Sequence, residues 1–468
     1  MSLNGFYLLP HPPIVLPEIG KGMDKNIMST SKSFNVIGKE IAEISPSTII
    51  LITPHGVMFQ DAISLSYQDE IYGDLKSFGV PSVSMKLPIN KALTKRIYEL
   101  ADSGGIPSVL ATNSLLKKYN TSIFLDHGAM VPLYFINKYY KNYKFVHITY
   151  AALNDIDLYK FGIDINKAVE ELNENAVIIA SGDLSHKLKE EGPYGYSPYG
   201  EKFDREFLHH LEKGDVNGVF SIDKEIVKNA GECGRRSVAI LLGALDEKKF
   251  SGEVLSYQGT FGVGYGVIRF NVISKDSSKL EELDSIRKTN YEKRQQQSDP
   301  YVRLARESLT TFINTGKHIE NIPKYVTAEM KDNKRGVFVS LKKDGKLRGC
   351  IGTIFPTTDS MADEIIRNAV EAGINDPRFS EVEKEELMDI DFSVDVLTEP
   401  EPAALGDLNP KEYGIIVKNK YKSGLLLPDL EGVNTVDVQL SIVLKKAGIK
   451  QGEEYSIQRF KVLRHKEA

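Results

Sequence analysis

Ile49-Ile50-Leu51-Ile52-Thr53-Pro54-His55-Gly56 sets the fold class of the chain's first half. Four large apolar residues in a row, closed by proline and glycine, have the length and composition of a buried strand rather than of an amphipathic helix. Residues 5–9, 144–149 and 176–181 repeat the pattern, as short apolar runs bounded by Pro, Gly, Asn or Ser. Helical spacing fills the intervals at 32–44, 90–100 and 160–173; the last has Ile163, Ile165, Ala168, Val169 and Leu172 on one face. A further helix is expected over 235–245, and 252–273 alternates around Gly262, Gly264 and Gly266 as closing β-structure. Strands alternating with helices imply an α/β three-layer domain over residues 1–273.

In such a sheet, ligands bind beyond the carboxyl ends of the strands. Several histidines fall at that edge. His11 follows the run Gly5-Phe6-Tyr7-Leu8-Leu9-Pro10, His55 follows 49–54, and His186 follows 176–185. Neutral imidazole is the commonest side-chain metal ligand. Proline stiffens the chain and glycine admits close approach, so Pro10-His11-Pro12-Pro13 and Thr53-Pro54-His55-Gly56 are the best ligand candidates. The ordinary alternative is two unrelated loop histidines. Gly231-Glu232-Cys233-Gly234-Arg235-Arg236 offers a third ligand at the turn that opens a helix, either the Glu232 carboxylate or the Cys233 thiolate. The blander possibilities are a first-turn helix acid and a small buried hydrophobe. Two histidines and one anion, with positions left open, is the facial set used for Fe(II) and oxygen.

His127, in Asp126-His127-Gly128, and His186, in Gly182-Asp183-Leu184-Ser185-His186, are candidates for an acid–base pair. Asp183 is placed to orient His186 or to bond a substrate; its plainer role is a turn or N-cap residue. His147, His209, His210, His318 and His465 lack such context and read as surface or core residues. The segment 192–200, rich in tyrosine, glycine and proline, reads as a loop after His186 able to cover an aromatic ligand.

Bulk properties narrow the class. At 468 residues the chain exceeds one ordinary core. A net charge of −5 excludes a basic signature for nucleic acid or anionic membrane, though a local basic patch stays open. Cys233 and Cys350 are the two cysteines, which fits a reducing compartment rather than a disulfide framework. The N-terminus lacks the charged-then-apolar pattern of a signal peptide, and no apolar run reaches the ~20 residues of a membrane helix, so a cytoplasmic location without membrane contact is expected. Oligomeric state has no signature in the sequence.

The middle changes character. Residues 274–296 are polar and glutamine-rich and are expected to form a linker carrying some helix. A helical pattern opens at Asp299-Pro300, and strand-like segments follow at 336–340, 391–397 and 414–417, with a helix over 361–372. Residues 297–468 therefore read as a separate α+β domain.

The order Pro-His-Pro-Pro-Ile, Thr-Pro-His-Gly, Asp-His-Gly, Gly-Asp-Leu-Ser-His and Gly-Glu-Cys-Gly-Arg-Arg over residues 1–273 resembles the class III extradiol ring-cleavage dioxygenases (LigB-type) and their relatives, the Memo family. The resemblance implies His11 and His55 as ligands of a ferrous ion, with His127 and His186 as acid–base groups beside the substrate. The dioxygenases use a glutamate as third ligand. Memo-like proteins have a cysteine before Gly-Arg, which matches Cys233. Leu347-Arg348-Gly349-Cys350-Ile351-Gly352-Thr353, Asn375-Asp376-Pro377-Arg378-Phe379 and Gly424-Leu425-Leu426-Leu427-Pro428 look like the AMMECR domain family. On a glycine-flanked strand, Arg348 and Cys350 are candidates for an anion or substrate site; tight β-packing around a buried Cys350 is the ordinary alternative. The pairing of modules resembles a partnership of both with a radical-SAM enzyme, a separate chain.

The leading expectation is an oxidoreductase of extradiol-dioxygenase type, with Fe(II), O₂ and a catecholic or other chelating aromatic substrate. A non-catalytic metal-binding or scaffold module that recognises a partner protein or modified RNA, in step with a radical-SAM enzyme, is the rival. Zinc-dependent hydrolysis with His127 or His186 as base is the third option.

Overall fold

In the computed structural model residues 49–52 lie in a strand, Thr48–Thr53, with every residue buried. The structure describes residues 2–343, 345–430, 432–450 and 452–467. The chain divides into two compact units, Met1–Ile286 and Arg287–Ala468.

In the first unit the strands are β1 (Leu3–Leu9), β2 (Thr48–Thr53), β3 (Ile63–Ser66), β4 (Glu70–Leu75), β5 (Val80–Pro88), β6 (Ser108–Ala111), β7 (Lys144–Thr149), β8 (Ala176–Ser181), β9 (Lys248–Gln258) and β10 (Tyr265–Lys275). Eight of them form one sheet in the order β6-β3-β7-β2-β8-β1-β10-β9. The central four, β7, β2, β8 and β1, are parallel. Their registers pair Leu9 with Ser181 and Thr53 with Thr149, so their carboxyl ends share one edge. Side chains alternate between faces. Tyr7, Leu9, Ile49, Leu51, Val177 and Ile179 enter one core with the helices Met28–Ile44 and His127–Ile136. Phe6, Leu8, Ile50, Ile52, Ile178 and Ala180 enter the other with Lys91–Ser103, Asp155–Glu171 and Arg235–Ala244. Helices on both faces of a mostly parallel sheet make the expected three layers.

The sequence reading passed over β3, β6 and the β4–β5 hairpin. β3 and β6 have four residues each, too short to show a period, and β5 is largely exposed. The 192–200 segment is a loop only as far as Ser197, whose hydroxyl caps a helix with proline in its first turn, Pro198–Lys213. Within residues 274–296, β10 runs to Lys275 and a helix occupies Leu280–Gln297. Within the second unit that helix is anchored by Arg287 on Asp389 and Arg294 on Asp391, each at 2.6 Å. Among the described residues no helix is long and apolar enough to cross a membrane.

Among the described residues the second unit has eight strands: β11 (Val337–Lys343), β12 (Lys346–Gly352), β13 (Ile390–Leu397), β14 (Glu401–Pro402), β15 (Gly414–Lys418), β16 (Ser423–Leu426), β17 (Ser456–Phe460) and β18 (Val462–Lys466). They form two antiparallel sheets, β12-β11-β13-β18 and β14-β17-β15-β16. The helices Pro300–Thr315 and Met361–Ile374 share a core with the first sheet, and Val436–Ala447 packs on the second. Arg306 is buried in the first core. Its guanidinium donates to the Glu467 carboxylate at 2.6 Å and to the carbonyls of Leu387 and Ile390 at 3.0 and 2.6 Å. Replacing Arg306 by Leu strands a buried carboxylate and is expected to cost about 3–5 kcal/mol in this unit. Amide hydrogen exchange along β13 in the full chain measures the loss, and unchanged protection would contradict the assignment.

Candidate metal centre

Every candidate side chain of the first unit enters from the carboxyl edge of the parallel strands. His11 lies two residues beyond β1, His55 two beyond β2, and the turn 182–186 follows β8 directly. Cys233 arrives in the turn before the helix Arg235–Ala244. The last two turns meet backbone to backbone. A Cβ at Gly182 would lie 2.1 Å from the Gly234 Cα, so glycine is required there. The contact is sewn by two bonds: the Cys233 N–H donates to the Asp183 carbonyl at 3.3 Å, and the Asp183 N–H donates to Cys233 Sγ at 3.2 Å.

This brings three ligand atoms together. His11 Nε2 is 3.0 Å from His55 Nε2 and 3.7 Å from Cys233 Sγ, and one ligand atom of each residue lies within 4.8 Å of the others. The tautomer of His11 follows from its neighbours. The Ser181 hydroxyl donates to the Gly128 carbonyl at 2.5 Å and so accepts from His11 Nδ1 at 2.9 Å. The proton is on Nδ1, and the Nε2 lone pair faces His55 and Cys233. Burial lowers the His11 pKa to about 3, helped by His55. His55 has an exposed edge, yet the protein packed around its ring still lowers its pKa. Both imidazoles are thus neutral near pH 7. Burial, then the Asp183 carboxyl, pushes the Cys233 thiol well above its usual value. A cation reverses that, because a coordinating thiol loses its proton outright. Two lone-pair nitrogens and one displaceable thiol proton fit a metal ion of the iron or zinc kind.

Glu232 does not join the cluster. Its carboxylate accepts the Arg235 backbone N–H at 2.6 Å and caps the neighbouring helix. The Arg235 guanidinium, paired with Asp155 at 2.8 and 2.5 Å, holds that helix end from the other side. The turn therefore sends residue 232 to the helix and residue 233 to the two histidines.

His127 opens a helix rather than a loop, with Asp126 as its N-cap. Its ring stacks on His55 with centroids 4.2 Å apart and stands edge-on to His11 at 5.4 Å. Burial, then the two neighbouring imidazoles, lowers its pKa to about 3. His186 stacks on Tyr194 of the tyrosine-rich loop at 4.9 Å. Burial lowers its pKa, and its Nε2 is buried without a hydrogen-bond partner. Asp183 accepts the His11 backbone N–H at 2.8 Å, while its other oxygen stands 4.0 Å from His11 Nε2; burial raises its pKa to about 6. Its bond is thus to the chain at His11, not to His186. Sequence reasoning missed Ser181, Asp126 and Phe78, whose ring meets His127 at 5.2 Å. Asp126 carried a signal, an N-cap acid before an apolar run, but Pro132 inside the helix obscures the pattern.

Arg348 and Cys350 lie together on β12. Arg348 is turned inward: it donates to both oxygens of Glu386 at 3.1 and 2.8 Å and to the carbonyls of Ser380 and Glu381 at 2.8 and 3.0 Å. Those donors are consumed in holding the 380–386 segment. Half-buried Cys350 is 3.2 Å from the Ser340 hydroxyl, and its N–H donates to the Asp376 carboxylate at 2.8 Å.

Comparison with known proteins agrees with this architecture. Residues 5–268 match the model of LigB, the catalytic subunit of aromatic ring-opening dioxygenase. The chain belongs to the LigB family. Behind the LigB domain, residues 302–465 match AMMECR1. Protein CA_C1420 of Clostridium acetobutylicum is 68% identical over the full length of both chains. A Thermotoga maritima protein is 46% identical over 170 residues, 36% of this chain and 97% of its own. Among solved structures, protein PH0010 of Pyrococcus horikoshii aligns with TM-score 0.33 and 31% identity, covering 36% of this chain and 89% of that one. Protein JW3007 of Escherichia coli K12 aligns with TM-score 0.37 and 14% identity, covering 57% and 98%.

The meeting of the two glycine turns is testable in the LigB domain. Gly182→Ala is expected to lower stability by at least about 1–3 kcal/mol, as overpacking against backbone does. Thermal unfolding measures it, and an unchanged transition would refute the close approach.

Proposed function

We propose that the LigB domain is a non-haem iron oxidoreductase of the ring-opening type, acting with O₂ on a catecholic or other chelating aromatic substrate. One observation carries the proposal: the ligand atoms of His11, His55 and Cys233 converge beside two further neutral imidazoles, His127 and His186. A ferrous ion bound there supplies one-electron chemistry towards oxygen and a point for adjacent substrate oxygens to chelate. The chain's own residues do the rest. His127, neutral and stacked on His55, is placed to hydrogen-bond a substrate hydroxyl and orient it. His186 keeps a buried nitrogen without a protein partner, which suits a group that exchanges a proton with substrate. Phe78 beside His127 and Tyr194 over His186 give apolar walls for an aromatic ring.

One feature favours a second reading. A thiolate in place of a carboxylate suits a softer ion, so zinc-dependent hydrolysis with His127 or His186 as base stands next in line.

Metal analysis after anaerobic purification decides between them. The unaltered protein is expected to hold about one iron per chain, lost in both His55→Ala and Cys233→Ala. Zinc in its place supports hydrolysis. Absence of any metal overturns both and leaves a partner-binding module, working alongside a radical-SAM enzyme, in front. Affinity also carries a pH signature. The Cys233 thiol, raised by burial and Asp183, is protonated near pH 7, whereas the histidines are already neutral. Metal uptake therefore releases one proton, and the dissociation constant is expected to fall about tenfold per pH unit between pH 6 and 8. A flat profile in a metal titration would remove the thiol from the ligand set.

A further inference from the structure

We infer that His147 is a positioning residue of the metal centre, acting through Asp126 on both His55 and His127; the inference rests on the metal-binding reading above. His147 lies on β7 with 1% of its surface exposed, beside the strand that delivers His55. Its Nε2 is 2.8 Å from Asp126 Oδ2, and its Nδ1 is 2.8 Å from the Ser66 hydroxyl. One assignment satisfies every atom: Ser66 O–H donates to Nδ1, and Nε2–H donates to the carboxylate.

The other Asp126 oxygen serves two elements. It accepts from the Thr53 hydroxyl at 2.7 Å and from the Ala129 N–H at 3.2 Å. The first bond controls His55, because the Thr53 oxygen in turn accepts the His55 backbone N–H at 3.2 Å. The second caps the helix whose first residue is His127. One carboxylate thus ties the end of β2 to the start of a helix, and the two rings those elements carry stack at 4.2 Å.

Packing makes the tie rigid. The residue after each histidine is a glycine touching this network. A Cβ on Gly56 would lie 3.0 Å from His147 Cε1 and 2.1 Å from Thr149 Oγ1. A Cβ on Gly128 would lie 2.4 Å from Thr53 Oγ1. Without the imidazole, Asp126 Oδ2 is a buried oxygen lacking its donor. The carboxylate then turns to find another and gives up either Thr53 or the helix cap. Either change moves a ring of the site. Outer partners of this kind orient metal ligands, and their removal typically weakens metal binding by about 10–100-fold.

Cobalt(II) titration of the full chain tests this by affinity and by visible spectrum. The unaltered protein is expected to bind cobalt with a sulfur-to-metal charge-transfer band from Cys233. In His147→Phe the affinity is expected to fall at least about tenfold, with shifted d–d bands and the sulfur band retained. In His147→Gln the terminal amide N–H reaches Asp126, so affinity and spectrum return. A purely structural role lowers the melting temperature and leaves the cobalt bands in place. His147→Phe with unaltered affinity and bands overturns the inference, as does failure of His147→Gln to restore them. Should His147→Phe not fold, His147→Asn, whose shorter amide keeps the Ser66 side and drops the bond to Asp126, takes its place, and unaltered cobalt affinity and bands in it overturn the inference. No cobalt uptake by the unaltered protein overturns the metal reading itself, a result distinct from a variant that binds unchanged.

Discussion

The site depends on one contact, the backbone approach of Gly182 to Gly234. The first residue leaves β8 and the second precedes the helix Arg235–Ala244, so a strand end and a helix start come within side-chain-free distance. That proximity lets Asp183 and Cys233 exchange two backbone-directed bonds, one of them to sulfur. It also sets Cys233 3.7 Å from a histidine 222 positions away in the chain. A methyl group at Gly182 would collide with backbone, which cannot rotate aside as a side chain can.

Around that contact the electrostatics are arranged by exclusion of water. His11 and His127 stay neutral because burial penalises their cations more than neighbouring carboxyls favour them. The opposite holds for Asp183 and Cys233, whose anions burial disfavours. Near pH 7 the three ligand side chains His11, His55 and Cys233 are therefore uncharged, while Asp183, raised only to about 6, is largely ionised beside them. This is a low-cost way to hold three ligands within 4.8 Å, since like charges at that distance would repel strongly in a poorly solvated site.

The second unit keeps its own core and spends its conspicuous charges on structure. Arg306 and Arg348 both satisfy buried or half-buried carboxylates and backbone carbonyls. A planar guanidinium with five donors suits that task, because it closes several chain segments at once. Arg348 shows how a conspicuous motif residue can be structural: its neighbours in space, Ser380, Glu381 and Glu386, are more than 30 positions away and cannot be read from Leu-Arg-Gly-Cys.

Much of the fold was legible because period and length report burial directly. The runs around β1, β2, β7 and β8 are apolar without alternation, as strands covered on both faces must be, and the three layers follow. So does the presence of two separate domains. Short or exposed strands escaped, having too few residues to form a pattern. The choice between Glu232 and Cys233 also escaped, since adjacent side chains on a turn diverge in directions set by the helix that one of them caps. The support of His127 and His55 by Asp126 and His147 lay beyond the sequence for the same reason. Strand periodicity is local, so the residue types that reach the edge of the sheet can be read from the chain alone. Which of them meet cannot, because that depends on strand order, on two glycine turns touching, and on hydrogen bonds between residues far apart in the chain.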